Sequence, residues 1–165
     1  MICALVGAAA QAYTQGSGAS AQQRQDRKKA TICGNPKESC QSAFPFEPYD
    51  LHFRVGKNAV IWDTEPFYAV ILKSVRVVNN NCDAFVPEAE RLRAQELFPD
   101  RKVFTSRCPE SLEVYYMNVS PDHNFMAVYA GRTRAEANRV LAEVKATGKY
   151  KGANIRRMRA GINGT

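Results

Sequence analysis

The C-terminal part of the chain alternates between helical and strand patterns of apolar residues. Four apolar residues recur at i, i+3, i+4 and i+7, the spacing of one stripe on an amphipathic helix. They are Ala137, Val140, Leu141 and Val144. Thr133 is placed as an N-cap, and Glu136 at the third helical position can complete a capping box with it. Because Gly148 can adopt the left-handed conformation that ends helices, the pattern predicts a helix between Thr133 and Gly148.

Five other segments have the aromatic and β-branched content of strands. They are residues 67–78, 102–108, 114–119, 125–130 and 153–158. The first segment is the best candidate for a central strand. Alternation along it places Tyr68, Val70 and Leu72 on one face and Ala69, Ile71 and Lys73 on the other. Gly131, directly after the fourth segment, permits a tight turn into the helix.

A second helix is predicted over residues 88–98, with Pro87 in its first turn and Pro99 after its end. Its apolar stripe consists of Ala89, Leu92 and Leu97 and is less regular than that of the later helix. The elements therefore follow the order βαββαβ with one extra hairpin strand, residues 114–119. This order predicts an α+β fold, a ferredoxin-like or RNP-like sandwich with its helices on one face of an antiparallel sheet.

The N-terminal third divides into a signal-like segment and an extended arm. Residues 1–12 are apolar and end in small residues, like a secretion signal, but the positive n-region is missing, so we expect a true start further upstream. An apolar N-terminal helix or strand is the alternative. Residues 13–48 are predicted as a flexible basic linker with a small disulfide loop, ending in a proline-containing aromatic arm. Residues 49–165 form the predicted α+β domain, beginning with a short edge strand over residues 51–55.

The number of cysteines indicates the compartment in which the protein folds. If the signal is removed, Cys3 leaves with it and an even number remains: Cys33, Cys40, Cys82 and Cys108. An even count in a small exported chain indicates two disulfides, and of three connectivities we prefer Cys33–Cys40 with Cys82–Cys108. Neither pair has the two-to-four-residue spacing typical of zinc sites, which makes zinc the weaker alternative. Free thiols in a cytosolic protein are the other alternative.

Composition and net charge limit the possible architectures and the possible classes of partner. The chain has 165 residues, 45% of them hydrophobic, which suits one core, and no run approaches the roughly 20 apolar residues of a membrane-spanning helix. The net charge of +7 favours an anionic partner such as a cell-wall polymer, a membrane surface, an acidic protein or nucleic acid. A basic patch is predicted near the C-terminus from Lys149, Lys151, Arg156, Arg157 and Arg159.

Two runs resemble a known family. Residues 67–74 (FYAVILKS) and 126–137 (MAVYAGRTRAEA), in the βαββαβ order, look like the SPOR (sporulation-related repeat) domain. The resemblance covers about residues 67–159. It implies a SPOR-like fold and a non-catalytic, periplasmic or extracellular module that binds peptidoglycan, preferring glycan strands stripped of their stem peptides.

The resemblance also implies where the ligand binds, namely the sheet face opposite the helices. Phe125 lies where the family has an aromatic residue, and Ser74 matches the family's serine, whereas Ile71 and Ala127 replace a glutamine and an arginine. The expected ligand-binding residues are Phe125, Tyr129, Ile71, Lys73 and Ser74. An open face of this kind is an apolar-aromatic platform with a cationic edge. The alternative is that these aromatic residues pack beneath the hairpin, the arm or a second subunit.

Two other functions remain as alternatives. The chain could be a structural or accessory protein-interaction subunit of an envelope or extracellular assembly, as a homo-oligomer or a hetero-assembly. An RRM-like binder of single-stranded nucleic acid is disfavoured, because the Gly-Phe-Gly-Phe-like strand is missing. Neither His52 nor His123 has a nucleophile or metal-ligand spacing around it. We therefore expect no enzyme activity, no catalytic residue, no metal or cofactor and no small-molecule substrate.

Overall fold

The computed structural model describes residues 31–58, 60–78, 81–108 and 114–163. The signal-like segment, Cys3 and the linker up to residue 30 lie outside these ranges. Within them the chain forms six strands and two helices. They are β1 (Ile61–Asp63), β2 (Phe67–Arg76), α1 (Glu88–Leu97), β3 (Val103–Thr105), β4 (Val114–Met117), β5 (His123–Tyr129), α2 (Arg134–Ala146) and β6 (Asn154–Asn163).

The strands form one curled antiparallel sheet in the order β1-β6-β2-β5-β3. The first half of β6 pairs with β2, whereas its second half pairs with β1 and β4. Both helices pack on the same face. The fold is therefore α+β, as predicted, and it is compatible with a ferredoxin-like fold. The sequence did not predict β1, and the edge strand predicted over residues 51–55 is reduced to a single bridge between Ile32 and Phe53.

Helix α2 confirms the strongest prediction. The hydroxyl of Thr133 accepts a hydrogen bond from the backbone N–H of Glu136, while the Glu136 carboxylate accepts one from the N–H of Thr133 at 2.8 Å. The Glu136 carboxylate also accepts a hydrogen bond from the Thr133 hydroxyl at 2.8 Å, and this bond together with the one from the Thr133 N–H holds the pKa of Glu136 below its usual value. Gly131 and Gly148 both have positive φ, 95° and 68°, where a side chain would be strained. Local signals thus determine both ends of α2.

Helix α1 buries a different face from the predicted one. Leu92 and Leu97 are 49% and 36% exposed, so the predicted stripe points to solvent. The buried residues are Arg91 and Ala94 within the helix and Phe98 after it. Arg91 is tolerated there because its guanidinium donates to the Glu88 carboxylate at 2.6 Å and to the Val103 carbonyl oxygen at 3.0 Å. The apolar pattern predicted the wrong buried face, because an arginine is treated as a surface residue in such a pattern even where a carboxylate pairs with it.

The sheet face opposite the helices is covered by the N-terminal arm, residues 31–55. Its apolar side chains join a core cluster with Phe67, Phe104 and Phe125. They are Ile32, Phe44, Phe46, Leu51, Phe53 and Val55. Strand β3 fastens the arm, since the N–H of Lys102 donates to Gly34 and that of Thr105 donates to Tyr49. Residues 31–48, which end in the predicted aromatic arm, therefore contribute to a second hydrophobic core.

Both predicted disulfides are present. Cys33 pairs with Cys40 and Cys82 with Cys108, with Cα–Cα separations of 5.7 and 5.2 Å that are normal for disulfides. The first closes the loop that sets Gly34 against the ring of Tyr129, where a Cβ would overlap the ring. The second ties the segment before α1 to the end of β3. Two disulfides are consistent with an exported protein. In the described part of the chain, neither helix has the length and apolar character needed to cross a membrane.

Candidate functional site

A cleft of about 440 Å³ opens at the end of the arm-side face where β2 passes the start of β5. Eight of the residues that the structure describes line it. They are Ile71, Ser74, Asn118, Val119, Ser120, His123, Phe125 and Arg156. This volume lies within the range of about 300–1,000 Å³ that is typical of ligand pockets. The cleft contains three of the five predicted ligand-binding residues.

The floor of the cleft is apolar and rigid. Ile71 of β2 and Phe125 of β5 form it and expose only 7% and 3% of their surfaces. Phe125 is held edge-on by Tyr116, with ring centroids 5.4 Å apart, and by Phe104 at 6.0 Å. Tyr116 is partly buried, the desolvation of its phenol raises the pKa of that group, and the phenol oxygen accepts a hydrogen bond from the N–H of Leu51. Contacts with β4 and, through Tyr116, with the arm therefore hold Phe125 in place.

A β-bulge in β2 decides which of the predicted residues reach the cleft. Ile71 pairs with Ala127, but Lys73 pairs with Met126, so one extra residue is inserted between them. As a result Lys73 turns to the helix face, where its ammonium group contacts the Glu90 carboxylate of α1 at 2.8 Å. The prediction that Lys73 shares a face with Ile71 is wrong, because simple alternation does not include the extra residue. Ser74 instead lies on the cleft side.

The rim of the cleft is polar and comes from the connection between β4 and β5. Asn118 has a φ of 65°, a left-handed conformation that asparagine tolerates better than most residues. This turn directs the following residues, Val119 and Ser120, into the cleft. The hydroxyl of Ser120 lies 3.2 Å from Nδ1 of His123. Hydroxyl, amide and imidazole groups thus surround an apolar floor.

One arginine supplies the charge of the cleft. Arg156 is exposed and pairs with Ala69 of β2, which places it on the cleft side. The next residue, Arg157, pairs with Tyr68 and faces the helix side. No Asp or Glu belongs to the described residues that line the cleft. Among these lining residues, the permanent charge is therefore that of Arg156.

The remaining residues of the predicted basic patch are dispersed. Lys149 and Lys151 are exposed in the connection between α2 and β6. Arg159 is partly buried in the second half of β6, opposite Met117. Because successive residues of a strand point to opposite faces, Arg156 and Arg157 cannot belong to one surface. The predicted patch therefore does not form a single continuous site.

Tyr129 does not reach the cleft. Its ring packs against Gly34 of the arm and lies 5.7 Å from the ring of Phe67. Burial raises the pKa of Tyr129. The sequence left two alternatives open, an exposed aromatic platform and a covered one. The part of the sheet face that carries Tyr129 is covered.

The sequence pattern missed the rim of the cleft. Asn118, Val119 and Ser120 belong to a hairpin connection whose path depends on the pairing of β4 with β6. The sequence assigned His123 to no site, and it assigned Arg156 only to a basic patch. The Ser120-Pro121-Asp122-His123-Asn124 turn is the one local signal that could have indicated this part of the site.

Among the described residues, no group of three or more His, Cys, Asp and Glu side chains could hold a metal ion. Comparison with known proteins adds no relative, since no family model, no curated protein and no solved structure matches this chain.

Proposed function

We propose that the chain is an exported, non-catalytic module with a SPOR-like fold that binds cell-wall glycan through the cleft. The observation that carries the proposal is the convergence of Ile71, Ser74 and Phe125 on one cleft, on the sheet face where the family resemblance expects the ligand. The βαββαβ order and the two disulfides support the fold and a periplasmic or extracellular location.

The chemistry of the cleft suits a sugar. Sugar rings have apolar faces that pack on apolar and aromatic side chains, here Ile71 and the edge of Phe125. Their hydroxyl groups both donate and accept hydrogen bonds, as do the side chains of Ser74 and Asn118. Arg156 can donate several hydrogen bonds to hydroxyl or carboxylate oxygens. No group in this arrangement has to act as acid, base or nucleophile.

Two adjacent arginines provide a matched test. Arg156→Glu should weaken co-sedimentation with purified, stem-peptide-free sacculi at least about tenfold, because a charge-assisted hydrogen bond contributes roughly 1.5–3 kcal/mol. Arg157→Glu makes the same change of charge on the other face and should bind like the unmodified chain.

Three results would contradict the proposal. Failure of the unmodified protein to pellet with sacculi, whether or not the stem peptides are removed, would exclude glycan binding. An equal loss in both variants would mean that net charge drives sedimentation. Normal binding by Arg156→Glu would place the ligand elsewhere.

A second candidate function is a protein–protein contact through strand β1. This strand ends the sheet order; its first residue, Ile61, is 62% exposed, and the preceding Val60 is 55% exposed. Edge strands with exposed apolar side chains are sites for pairing with a strand of another chain. Ile61→Lys should then abolish a partner band in cross-linked native extracts while leaving sacculus binding intact. An unchanged band would exclude this surface.

A further inference from the structure

The first half of strand β6 has an open edge. Strands β1 and β2 follow each other along one edge of β6, opposite residues 161–163 and 154–158. Strand β4 occupies the other edge, because it pairs with Gly161 and Ile162 at the same time as β1 does. Its last pair is with Arg159. In the described part of the chain, no strand pairs with residues 154–158 on that second edge.

The register identifies the backbone groups that face this open edge. The N–H of Tyr68 donates to the Gly131 carbonyl oxygen, and the N–H of Ala130 donates to that of Tyr68. The backbone groups of Tyr68 therefore point to the β5 side of β2 and away from β6. Since Tyr68 is opposite Arg157 and backbone direction alternates along a strand, the N–H and carbonyl groups of Arg157 and Ile155 point away from β2. Within the described residues, neither of them has a backbone partner on that side.

Strand β4 leaves this edge at a fixed turn. It runs antiparallel to β6, so its direct continuation would lie beside residues 156–158. Asn118 instead has its left-handed φ of 65°, and it lines the cleft together with Val119 and Ser120. Val119 packs against the arm-side core cluster, which holds the chain on this path. The edge of β6 is therefore open because the neighbouring strand is anchored elsewhere.

The open edge is cationic. Five basic residues belong to β6 or to the connection that leads into it. They are Lys149, Lys151, Arg156, Arg157 and Arg159. Neither this stretch, residues 147–163, nor β4 with its turn, residues 114–120, contains an Asp or a Glu. Arg156 and Arg157 are exposed on opposite faces of the sheet, but they share this edge.

We propose that this edge binds an extended, acidic segment of another protein by strand addition. An added strand exchanges backbone hydrogen bonds with Ile155 and Arg157, which supplies the affinity. Its successive side chains lie on the two faces of the sheet, so neighbouring acidic residues meet Arg156 on one face and Arg157 on the other. This interaction is independent of glycan binding in the cleft, and its edge is not that of β1.

The same charges argue against a second copy of the chain as the occupant. Antiparallel pairing of residues 155–157 with the same residues of another molecule places Arg156 directly opposite its counterpart. Like charges in this position destabilise a strand pair. Charged side chains commonly protect sheet edges from self-association in this way. They do not protect against a strand of opposite charge, which they attract.

The blocked hexapeptide Thr-Val-Glu-Glu-Val-Thr, titrated to millimolar concentration into isotope-labelled full protein, tests the proposal by NMR. Binding should shift the amide signals of Ile155 and Arg157. At saturation their hydrogen exchange should slow at least about tenfold, whereas that of Arg156, whose N–H faces β2, should change little. The peptide Thr-Pro-Glu-Glu-Pro-Thr keeps the charge but lacks two backbone donors, and Thr-Val-Lys-Lys-Val-Thr keeps the donors but reverses the charge. Each should bind at least about fivefold more weakly.

Two variants separate local from net charge. Arg157→Glu should weaken binding of the acidic hexapeptide at least about fivefold, because a cross-strand attraction becomes a repulsion. Arg93→Glu makes the same change on α1, which packs against β3 at the other side of the sheet, and should bind like the unmodified chain. Stem-peptide-free sacculi present no peptide strand, so Arg157→Glu remains a valid control for glycan binding.

Four results would overturn strand addition at this edge. One is the absence of shifts at Ile155 and Arg157. Another is equal binding of the proline-containing peptide, which would mean that charge alone holds the ligand. An equal loss in Arg93→Glu would assign binding to net charge. A dimer in sedimentation, with both edge amides protected before peptide is added, would mean that a second copy occupies the edge. None of these results bears on binding to sacculi.

Discussion

Phe53→Ala should lower the free energy of unfolding by about 3–5 kcal/mol, as expected for a fully buried phenylalanine. Phe53 lies in a segment without regular secondary structure, yet it is 0% exposed. Its ring packs edge-on against Phe46, with centroids 5.0 Å apart, and belongs to the arm-side core. Chemical denaturation with urea, followed by tryptophan fluorescence or circular dichroism, measures the change.

Phe46→Ala is the matched control for this experiment. Phe46 also lies in the arm and contacts the same core, but its side chain is partly exposed. Its truncation removes less buried surface and leaves no closed cavity, so the loss should be clearly smaller than that for Phe53. A loss below about 1 kcal/mol for Phe53→Ala would mean that the arm is not an integral layer of the domain.

The reliability of the sequence-based predictions depended on how local their causes are. The capping box of Thr133 and Glu136 and the left-handed Gly148 are set by neighbours within one helical turn, and both were predicted correctly. The cysteine pairing was also predicted, since the proximity of Cys33 and Cys40 in sequence favoured it. The order of the elements along the chain was also predicted, apart from β1, from the succession of strand and helix patterns.

Features that depend on distant partners could not be predicted in the same way. The buried position of Arg91 depends on the Val103 carbonyl oxygen, which lies on another element. The bulge after Ile71 arises from pairing with β5 and reverses the side to which Lys73 points. The burial of Tyr129 depends on the arm, whose Gly34 lies far away in the sequence. Each error therefore has a tertiary contact as its cause.

The candidate site likewise has a part that could be predicted from the sequence and a part that depends on tertiary contacts. Its floor, Ile71 and Phe125, was expected from the family resemblance, which indicates the sheet face opposite the helices. Its rim was not predicted, because Asn118 to Ser120 reach the cleft only when β4 pairs with β6. The contribution of Arg156 likewise depended on knowing its pairing register with Ala69.

The second large effect concerns two charged groups, Asp50 in the arm and Lys102 next to it. Burial raises the pKa of Asp50 to about 6, and burial lowers the pKa of Lys102 to about 8. Asp50 accepts a hydrogen bond from the N–H of Glu47 at 3.1 Å, and the Lys102 ammonium group donates to the Pro48 carbonyl oxygen at 2.5 Å. Asp50 therefore closes the arm turn and Lys102 joins this turn to the residue before β3, and the charged form of each group carries a cost in desolvation.

The two shifts act on stability in different pH ranges. The folded state holds the Asp50 proton more tightly than the unfolded state, so this contribution is complete below about pH 4 and is lost as the pH rises to about 6. Lys102 has the lowered pKa, so its cost is present below about pH 8 and disappears as the pH rises towards 10.5. Together these groups make the arm least stable between about pH 6 and 8.

Asp50→Asn should therefore stabilise the protein at pH 7 relative to the unmodified chain, by up to about 3 kcal/mol, since each pKa unit corresponds to about 1.4 kcal/mol. The amide oxygen can still accept the hydrogen bond from Glu47, but Lys102 loses a compensating charge, which reduces the gain. His52 and Glu136, whose pKa values are lowered, make stability fall in acid, so the informative quantity is the difference between variant and unmodified protein. Urea unfolding at a series of pH values should show this difference growing between pH 4 and 6 and then levelling off. A difference that stays constant over this range would mean that Asp50 titrates as it does in the unfolded chain and that the arm turn does not exclude water from it.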